Sequence, residues 1–350
     1  MPKQKMFTPE AEFILALSRT TMAQQGSERL RLLEQPSLDW EKIISLSLSH
    51  GTAALVYRQI NSCDFLAQRV PAEALTKLKN YYYANLARTL KLWQEFCCID
   101  ANFKKHNLGL IPLKGIILGN LVYRNPALRP IFADIDLLVR KNDLSRASAL
   151  LAEMGFAPSL APHIDYQKMF KKGTLLVDLH WGIVVPWLSR VNPETLWQRS
   201  RIQTLEHRQI RALSLEDMLL TLPLQMRYDF PFIKLLRFCD INEILSWEKS
   251  SLDWDYLIKG SRQYCLRGIL LFSLFICQAL FGSCLPRHLL QELCAGSPKR
   301  KTLLMFLKKM LAAVMDPDLQ FRKGRSLNYL LKSFLIDHPA DYFKIIWHKF

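Results

Sequence analysis

The eight cysteines of this sequence include no CxxC pair, and the chain carries no zinc-finger motif. Most of the cysteines lie within apolar segments of helical periodicity. We therefore expect reduced thiols in a folded core, as is typical of a cytoplasmic protein. The N-terminal stretch also lacks the apolar region of a secretory signal peptide, which favours the same location.

The sequence also lacks low-complexity tracts, convincing internal repeats, and the RNP-like and Gly-x-x-Gly motifs of RNA-binding modules. Acidic residues are in the minority, since 31 Asp and Glu against 47 Lys and Arg give a formal net charge of +16. Such a charge favours polyanionic ligands, namely nucleotides, nucleic acid or anionic lipid, but a solvated basic surface explains it equally well. Much of the excess lies in residues 299–350, which contain eleven Lys and Arg against four Asp.

One long segment lacks charge altogether. Residues 268–285 contain no Asp, Glu, Lys or Arg over eighteen positions, which is close to the length of a membrane span. However, the segment includes Ser273 and Gln278 and ends in Gly282-Ser-Cys-Leu-Pro286. We therefore predict a buried helix over 268–281 and expect no membrane partner, with a membrane anchor as the alternative.

The acidic residues that are present include a close pair. Asp134 and Asp136 lie in the segment Asp-Ile-Asp-Leu-Leu-Val, which is typical of a short strand. Side chains two apart on a strand point to the same face, so the two carboxylates would lie side by side. Because such carboxylates repel each other and are costly to bury, the pair indicates a site for a divalent cation, Mg²⁺ or Mn²⁺.

A third aspartate follows on a second predicted strand, 174–181. Alternation there places Asp178 and His180 on one face. If the two strands are neighbours, three aspartates converge, which is the arrangement for metal-assisted phosphoryl or nucleotidyl transfer. Asp134, Asp136 and Asp178 are therefore the candidate catalytic and metal-binding residues. His180 would either hydrogen-bond a metal-bound group or pack beside Trp181.

Two basic positions precede the aspartates. Lys114-Gly115 joins a predicted strand at 110–113 to a predicted helix at 116–123, and such a turn can present N–H groups and positive charge to a phosphate. An ordinary turn with a surface lysine is the alternative. Arg129 lies in the loop before the strand. It would contact a triphosphate, hold the carboxylates, or form a surface ion pair.

Five motifs, in this order, resemble those of a family of bacterial nucleotidyltransferase-like proteins in the DNA polymerase β-type nucleotidyltransferase superfamily. They are Leu-Lys-Gly at 113–115, Leu-Arg-Pro at 128–130, Asp-Ile-Asp-Leu-Leu-Val at 134–139, Met-Gly-Phe at 154–156 and Val-Asp-Leu-His-Trp at 177–181. Weaker matches, such as Asp-Trp-Glu at 39–41 and Leu-Leu-Arg-Phe-Cys-Asp at 235–240, extend the resemblance over most of the chain.

The resemblance implies transfer of a nucleoside monophosphate from an NTP, such as ATP, to an acceptor, with release of pyrophosphate. It implies that Asp134 and Asp136 hold the metal ions, that Asp178 lies closest to the acceptor, and that Lys114 and Gly115 hold the phosphates. The usual Gly-Ser turn of the superfamily reads Lys-Gly in this chain, as it does in the family.

Two further positions concern the acceptor. His163 resembles a histidine often found at this point in the family, and we expect it near the acceptor. In the helix after residue 217, where relatives tend to carry histidines, this chain has Gln225-Met-Arg-Tyr-Asp instead. The acceptor therefore stays open among small molecules, peptides, proteins and RNA ends.

The predicted fold class is α+β: a small mixed β-sheet nucleotidyltransferase core flanked by helical N-terminal and C-terminal regions. The expected regions are 1–108, 109–185 and 186–350. A helix is predicted over 71–106, a loop over 186–211, and helices from 215 onward, including 303–314, 326–336 and 340–347. The alternative functions are a non-catalytic nucleotide-binding or regulatory protein and a basic nucleic-acid-binding protein.

Overall fold

The computed structural model describes residues 7–21, 38–131, 134–159, 165–185, 189–226, 233–247 and 252–295, together with Leu311 and Met315. The chain forms two compact units: one combines 1–83 with 222–350, and the other comprises 84–221. The division into three regions stays a prediction. His163 and, apart from Leu311, the helices predicted beyond residue 300 lie outside the described residues.

The described elements alternate between helices and a few short strands. The helices are α1 (Pro9–Leu17), α2 (Trp40–Ser49), α3 (Ala53–Asn61), α4 (Asp64–Ala67), α5 (Ala72–Lys105), α6 (Gly115–Leu121), α7 (Leu144–Glu153), α8 (Pro193–Arg199), α9 (Leu215–Thr221), α10 (Leu235–Ser246), α11 (Trp254–Gln263), α12 (Arg267–Phe281) and α13 (Arg287–Cys294). The strands are β1 (Ile111–Pro112), β2 (Asp134–Leu138), β3 (Ala157–Pro158), β4 (Gln167–Lys172), β5 (Leu175–His180), β6 (Arg201–Leu205) and β7 (Arg208–Ala212).

Local sequence accounts for several helix ends. The Asp39 side chain accepts a hydrogen bond from the backbone N–H of Lys42 at 3.0 Å and so caps the N-terminus of α2. α12 ends at Gly282, whose φ of +68° is a left-handed conformation that favours glycine. Most of the α12 side chains are buried, which confirms the predicted buried helix. Among the described residues, no helix is long and apolar enough to span a membrane.

The site is carried by a five-stranded mixed sheet with the order β1-β2-β5-β4-β3. β2 and β5 are parallel, and the other neighbours are antiparallel. One face of the sheet carries the apolar side chains of the central strands, which are almost completely buried: Ile135, Leu137, Phe170, Val177 and Leu179. The opposite face carries the aspartates. The predicted α+β class with a small mixed sheet is confirmed.

The prediction of a loop over 186–211 is wrong. The described part of this stretch contains α8 and the antiparallel hairpin of β6 and β7. The two turn residues, Glu206 and His207, have φ values of +46° and +64°. Left-handed φ at both central positions is the geometry of a type I′ turn, which sequence analysis normally recognises by Asn-Gly or Asp-Gly.

Candidate active site

The register of β2 and β5 brings the acidic residues together. Asp134 pairs with Leu176, Asp136 with Asp178, and Leu138 with His180. Paired residues on neighbouring strands point to the same face, so all three aspartates and His180 project from one side of the sheet. The condition for convergence of the three aspartates, that these two strands are neighbours, is therefore met. We name this side the aspartate face.

Asp136 lies at the centre of the group and is 5 % exposed. Its Oδ1 accepts hydrogen bonds from Lys114 Nζ at 2.5 Å and, in the neutral tautomer that donates from this nitrogen, from His180 Nε2 at 2.9 Å. Burial acts to raise the pKa of Asp136, but the Lys114 charge and the His180 hydrogen bond outweigh it and hold that pKa below its usual value. Asp136 is therefore a carboxylate at neutral pH.

Asp178 and Asp134 have no favourable contacts strong enough to offset the effect of burial on their pKa values. Burial, followed by repulsion from Asp136 and Asp134, raises the pKa of Asp178 to about 7. Burial and the charge of Asp136 likewise raise the pKa of Asp134, which is half-buried at the start of β2. Asp178 Oδ1 is buried and has no hydrogen-bond partner within the part of the chain that the structure describes. The native fold thus holds an acidic oxygen that has no hydrogen-bond partner among those residues, and the charge of Lys114 offsets only part of the burial and repulsion.

His180 is 1 % exposed and lies between Asp136 and the Tyr166 ring, whose centroid is 5.9 Å from its own. Burial lowers the pKa of His180 despite the opposing hydrogen bond to Asp136, so the imidazole is neutral. Donation from Nε2 leaves Nδ1 as a buried lone pair, with no partner among the described residues. The expected alternatives were a hydrogen bond to a metal-bound group and packing beside Trp181. The structure shows a hydrogen bond, and its acceptor is the candidate metal ligand Asp136.

The donor atoms of Asp136, Asp178 and His180 lie within 4.8 Å of one another. A divalent cation fits this group on two observations: the unpartnered Asp178 oxygen and the raised pKa of both carboxyls beside Asp136. A cation would relieve both by supplying positive charge. A donor set dominated by carboxylate oxygen suits Mg²⁺ or Mn²⁺, while an imidazole nitrogen suits Zn²⁺ and other transition metals.

The turn between β1 and α6 places Lys114 beside the aspartates. Lys114 has φ +55° and ψ −130°, a left-handed conformation that favours glycine. Backbone strain in a non-glycine residue is concentrated at functional sites. In this conformation the ammonium group of Lys114 contacts Asp136 from the β1 side of the sheet. Lys114 is therefore not a free surface lysine.

Gly115 and Arg129 pack against each other. A Cβ on Gly115 would lie 2.5 Å from Arg129 Nη1, closer than any real contact. Arg129 is 4 % exposed and donates from Nη1 to the carbonyl oxygen of Pro130 at 2.9 Å. Arg129 is therefore a buried residue and does not lie on the surface.

We expect Gly115→Ala to destabilise the protein by about 1–3 kcal/mol, because the added methyl must displace the buried guanidinium group. Urea denaturation gives the free energy of unfolding. Gly119→Ala is the matched control in the same helix, since its Cβ would meet Pro126 Cα at an ordinary 3.5 Å. The control should be neutral or stabilising, because alanine favours helix more than glycine does. Equal losses in both variants would contradict the packing argument.

Two carboxylates on one strand beside a third on the parallel neighbour form a group of oxygen ligands that could hold divalent cations, which is the chemistry used in metal-assisted phosphoryl and nucleotidyl transfer. The comparison of families agrees. A family of uncharacterised nucleotidyltransferases matches residues 36–282, and the chain belongs to that family. It is therefore a transferase of nucleotidyl groups, and the family implies an NTP donor and an acceptor.

Two further comparisons complete these findings. Among solved structures, the solution structure of the antibiotic-resistance factor ANT(2'')-Ia is similar to this chain with a TM-score of 0.36 and 13 % sequence identity. The similarity covers 45 % of this chain and 84 % of that chain. None of the curated proteins matches the sequence.

Proposed function

We propose that this chain transfers a nucleoside monophosphate group from an NTP to a nucleophile on an acceptor, with Asp134, Asp136 and Asp178 as the site residues. The observation that supports the proposal is the register of β2 and β5, which pairs Asp136 with Asp178 and leaves Asp134 on the same face. These three carboxylates would hold Mg²⁺ or Mn²⁺, which when bound supplies positive charge to the phosphate oxygens.

The reaction balances without any further reactant. The acceptor hydroxyl or amine forms a new bond to the α-phosphorus, and the bond from that phosphorus to the α,β-bridging oxygen breaks, releasing pyrophosphate. The acceptor proton passes to Asp178, whose unpartnered Oδ1 lies on the aspartate face, and then to solvent. Lys114 and Gly115 would hold the departing phosphates, and a direct contact of Arg129 with the triphosphate stays a prediction, as does a cytoplasmic location.

The test is a thermal-shift series on wild type and Asp136→Asn, with each of the four NTPs, with and without Mg²⁺. The shift with metal alone is the baseline. A ligand at about 100 times its Kd stabilises the native state by roughly 2.7 kcal/mol. We expect an Mg²⁺-dependent shift with at least one NTP, and we expect Asp136→Asn to abolish it because a central carboxylate is lost.

The other outcomes separate the alternatives. Equal shifts in wild type and Asp136→Asn would contradict a role for Asp136 in nucleotide binding. Nucleotide binding without pyrophosphate release in the presence of any acceptor would identify a non-catalytic nucleotide-binding protein. Salt-sensitive binding to RNA or DNA that survives Asp136→Asn, with no NTP shift, would favour the basic nucleic-acid-binding alternative.

A further inference from the structure

The aspartate face continues beyond the aspartates onto β4. This strand pairs antiparallel with β5, so that Met169 lies opposite Asp178 and Lys171 lies opposite Leu176. Gln167 lies opposite His180 in the same register. Since directly paired residues share a face, these three side chains of β4 project from the same side of the sheet as the aspartates. Gln167 and Met169 are half-exposed and Lys171 is exposed, so this part of the face is open.

The three lysines of β4 divide between the two faces. Lys168 and Lys172 alternate with Lys171 and lie on the opposite face with Phe170. Lys172 pairs with Glu95 at 3.0 Å and lies over the Phe156 ring, and Lys168 lies over the Phe170 ring. By contrast, no described residue pairs with Lys171. Lys171 is therefore the lysine of β4 that lies on the aspartate face, and its charge has no ion-pair partner within the described part of the chain.

Lys171 lies at the end of the aspartate face that is more exposed to solvent. It lies in the same row as Leu176 and Asp134, which is half-buried, whereas Asp136 and His180 in the next rows are almost fully buried. Neighbouring strands are about 4.8 Å apart and residues rise about 3.3 Å along a strand. The Cα of Lys171 is thus on the order of 8 Å from that of Asp178, within reach of a molecule that contacts both.

Given the function proposed above, the sheet order separates a leaving-group side of the site, next to β1, from an acceptor side, next to β4. Lys114, the residue proposed to hold the departing phosphates, approaches Asp136 from the β1 side, whereas β4 lies beyond β5 on the other side. In an in-line displacement the nucleophile approaches opposite to the leaving group. The β4 side is therefore the acceptor side, and Lys171 faces the acceptor.

We propose that Lys171 binds an anionic group of the acceptor, so that the acceptor carries a phosphate or carboxylate within about 10 Å of its reacting hydroxyl or amine. The inference rests on the proposed nucleotidyl transfer for the identity of the ligand, but the anion site itself depends only on β4. Lys171 is a specificity-determining residue, because it distinguishes an anionic acceptor from a neutral one of the same shape.

The test uses calorimetric titration with pairs of probes that differ in charge. Glycerol 3-phosphate is paired with glycerol, and lactate with 1,2-propanediol. Each is titrated into the protein with Mg²⁺ alone, and with Mg²⁺ plus the α,β-methylene analogue of ATP. We expect at least one anion to bind more tightly than its neutral partner. We expect Lys171→Gln to weaken that binding about tenfold, and Lys171→Arg to retain it.

Lys168→Gln is the matched control, since Lys168 is exposed on the opposite face of the same strand. It should bind the anions as wild type does.

Equal affinity for charged and neutral probes, or unchanged binding in Lys171→Gln, would overturn the inference. Binding of the analogue without any Lys171-dependent anion binding would leave the proposed function standing. Lys171-dependent anion binding without binding of the analogue would contradict the proposed function alone. Lys171-dependent binding of glycerol 3-phosphate would indicate a phosphate on the acceptor, and Lys171-dependent binding of lactate would indicate a carboxylate.

Discussion

Asp178→Asn is expected to stabilise the metal-free protein at pH 8 while lowering nucleotidyl transfer about 10²–10⁴-fold. Both effects have one cause. The fold holds the carboxyl of Asp178 buried and beside two other carboxyls, with its Oδ1 unpartnered among the described residues. The amide removes a buried charge, which favours folding, and it removes the group that we propose accepts the proton of the acceptor, which reduces the rate.

The pH dependence of the stability gain follows from the pKa of Asp178, raised from its usual 3.8 to about 7. Between these values the unfolded chain has lost the proton and the native state has kept it. The contribution of Asp178 to the stability of the wild type therefore falls as pH rises from about 4 to 7 and is constant above that. Asp178→Asn lacks this loss, so its advantage over wild type in the free energy of unfolding should grow over that range, by about 4 kcal/mol, and then remain constant.

Thermal melting in EDTA from pH 4 to pH 8 measures this difference, and pyrophosphate release measures the rate. Glu153→Gln is the control, because this carboxylate is exposed at the end of α7 and its loss should change stability little at any pH. A melting temperature that falls in Asp178→Asn at pH 8 would show that Asp178 is compensated in solution. An unchanged rate of pyrophosphate release would remove Asp178 from the catalytic group.

The acidic centre could be predicted from the sequence because strand periodicity is short and strict. A spacing of two places Asp134 with Asp136, and Asp178 with His180, on one face whatever the rest of the fold does. Periodicity alone does not determine that the two strands are neighbours, so their adjacency could be stated from the sequence only as a condition. The register of Asp136 with Asp178 then follows from strand pairing, and it is the structural detail on which the site depends.

The features that escaped prediction all depend on tertiary contacts. The contacts of Lys114 and His180 with Asp136 join residues 22 and 44 positions apart, and no local pattern indicates them. The hairpin of β6 and β7 turns at Glu206-His207 instead of a glycine. The Glu206 carboxylate accepts a hydrogen bond from Trp93 Nε1 of α5 at 2.6 Å. The residues Glu206 and His207 do not themselves favour this turn, and a hydrogen bond from the distant helix α5 contacts it.

The second large effect concerns His180, whose Nε2 is 2.9 Å from Asp136 Oδ1. We expect His180→Phe to lower the affinity for Mg²⁺ about 10–100-fold, because the phenyl ring has no N–H and no longer orients the central carboxylate. His180→Gln should restore most of the affinity, since its terminal amide can donate to the same oxygen. Isothermal titration with Mg²⁺ gives the affinities, and melting temperatures show that each variant is folded.

The glutamine variant also decides between two roles for His180, which belongs to the group of donors that lie within 4.8 Å of one another. If His180 orients Asp136, the metal contacts oxygen ligands, Mg²⁺ and Mn²⁺ both bind, and the glutamine variant retains that preference. If the imidazole instead binds the metal through its unpartnered Nδ1, wild type should prefer Zn²⁺ or another transition metal, and glutamine should lose that preference. The observed hydrogen bond to Asp136, made by a neutral imidazole, favours the first role. Loss of Mg²⁺ affinity in both variants to the same degree would contradict it.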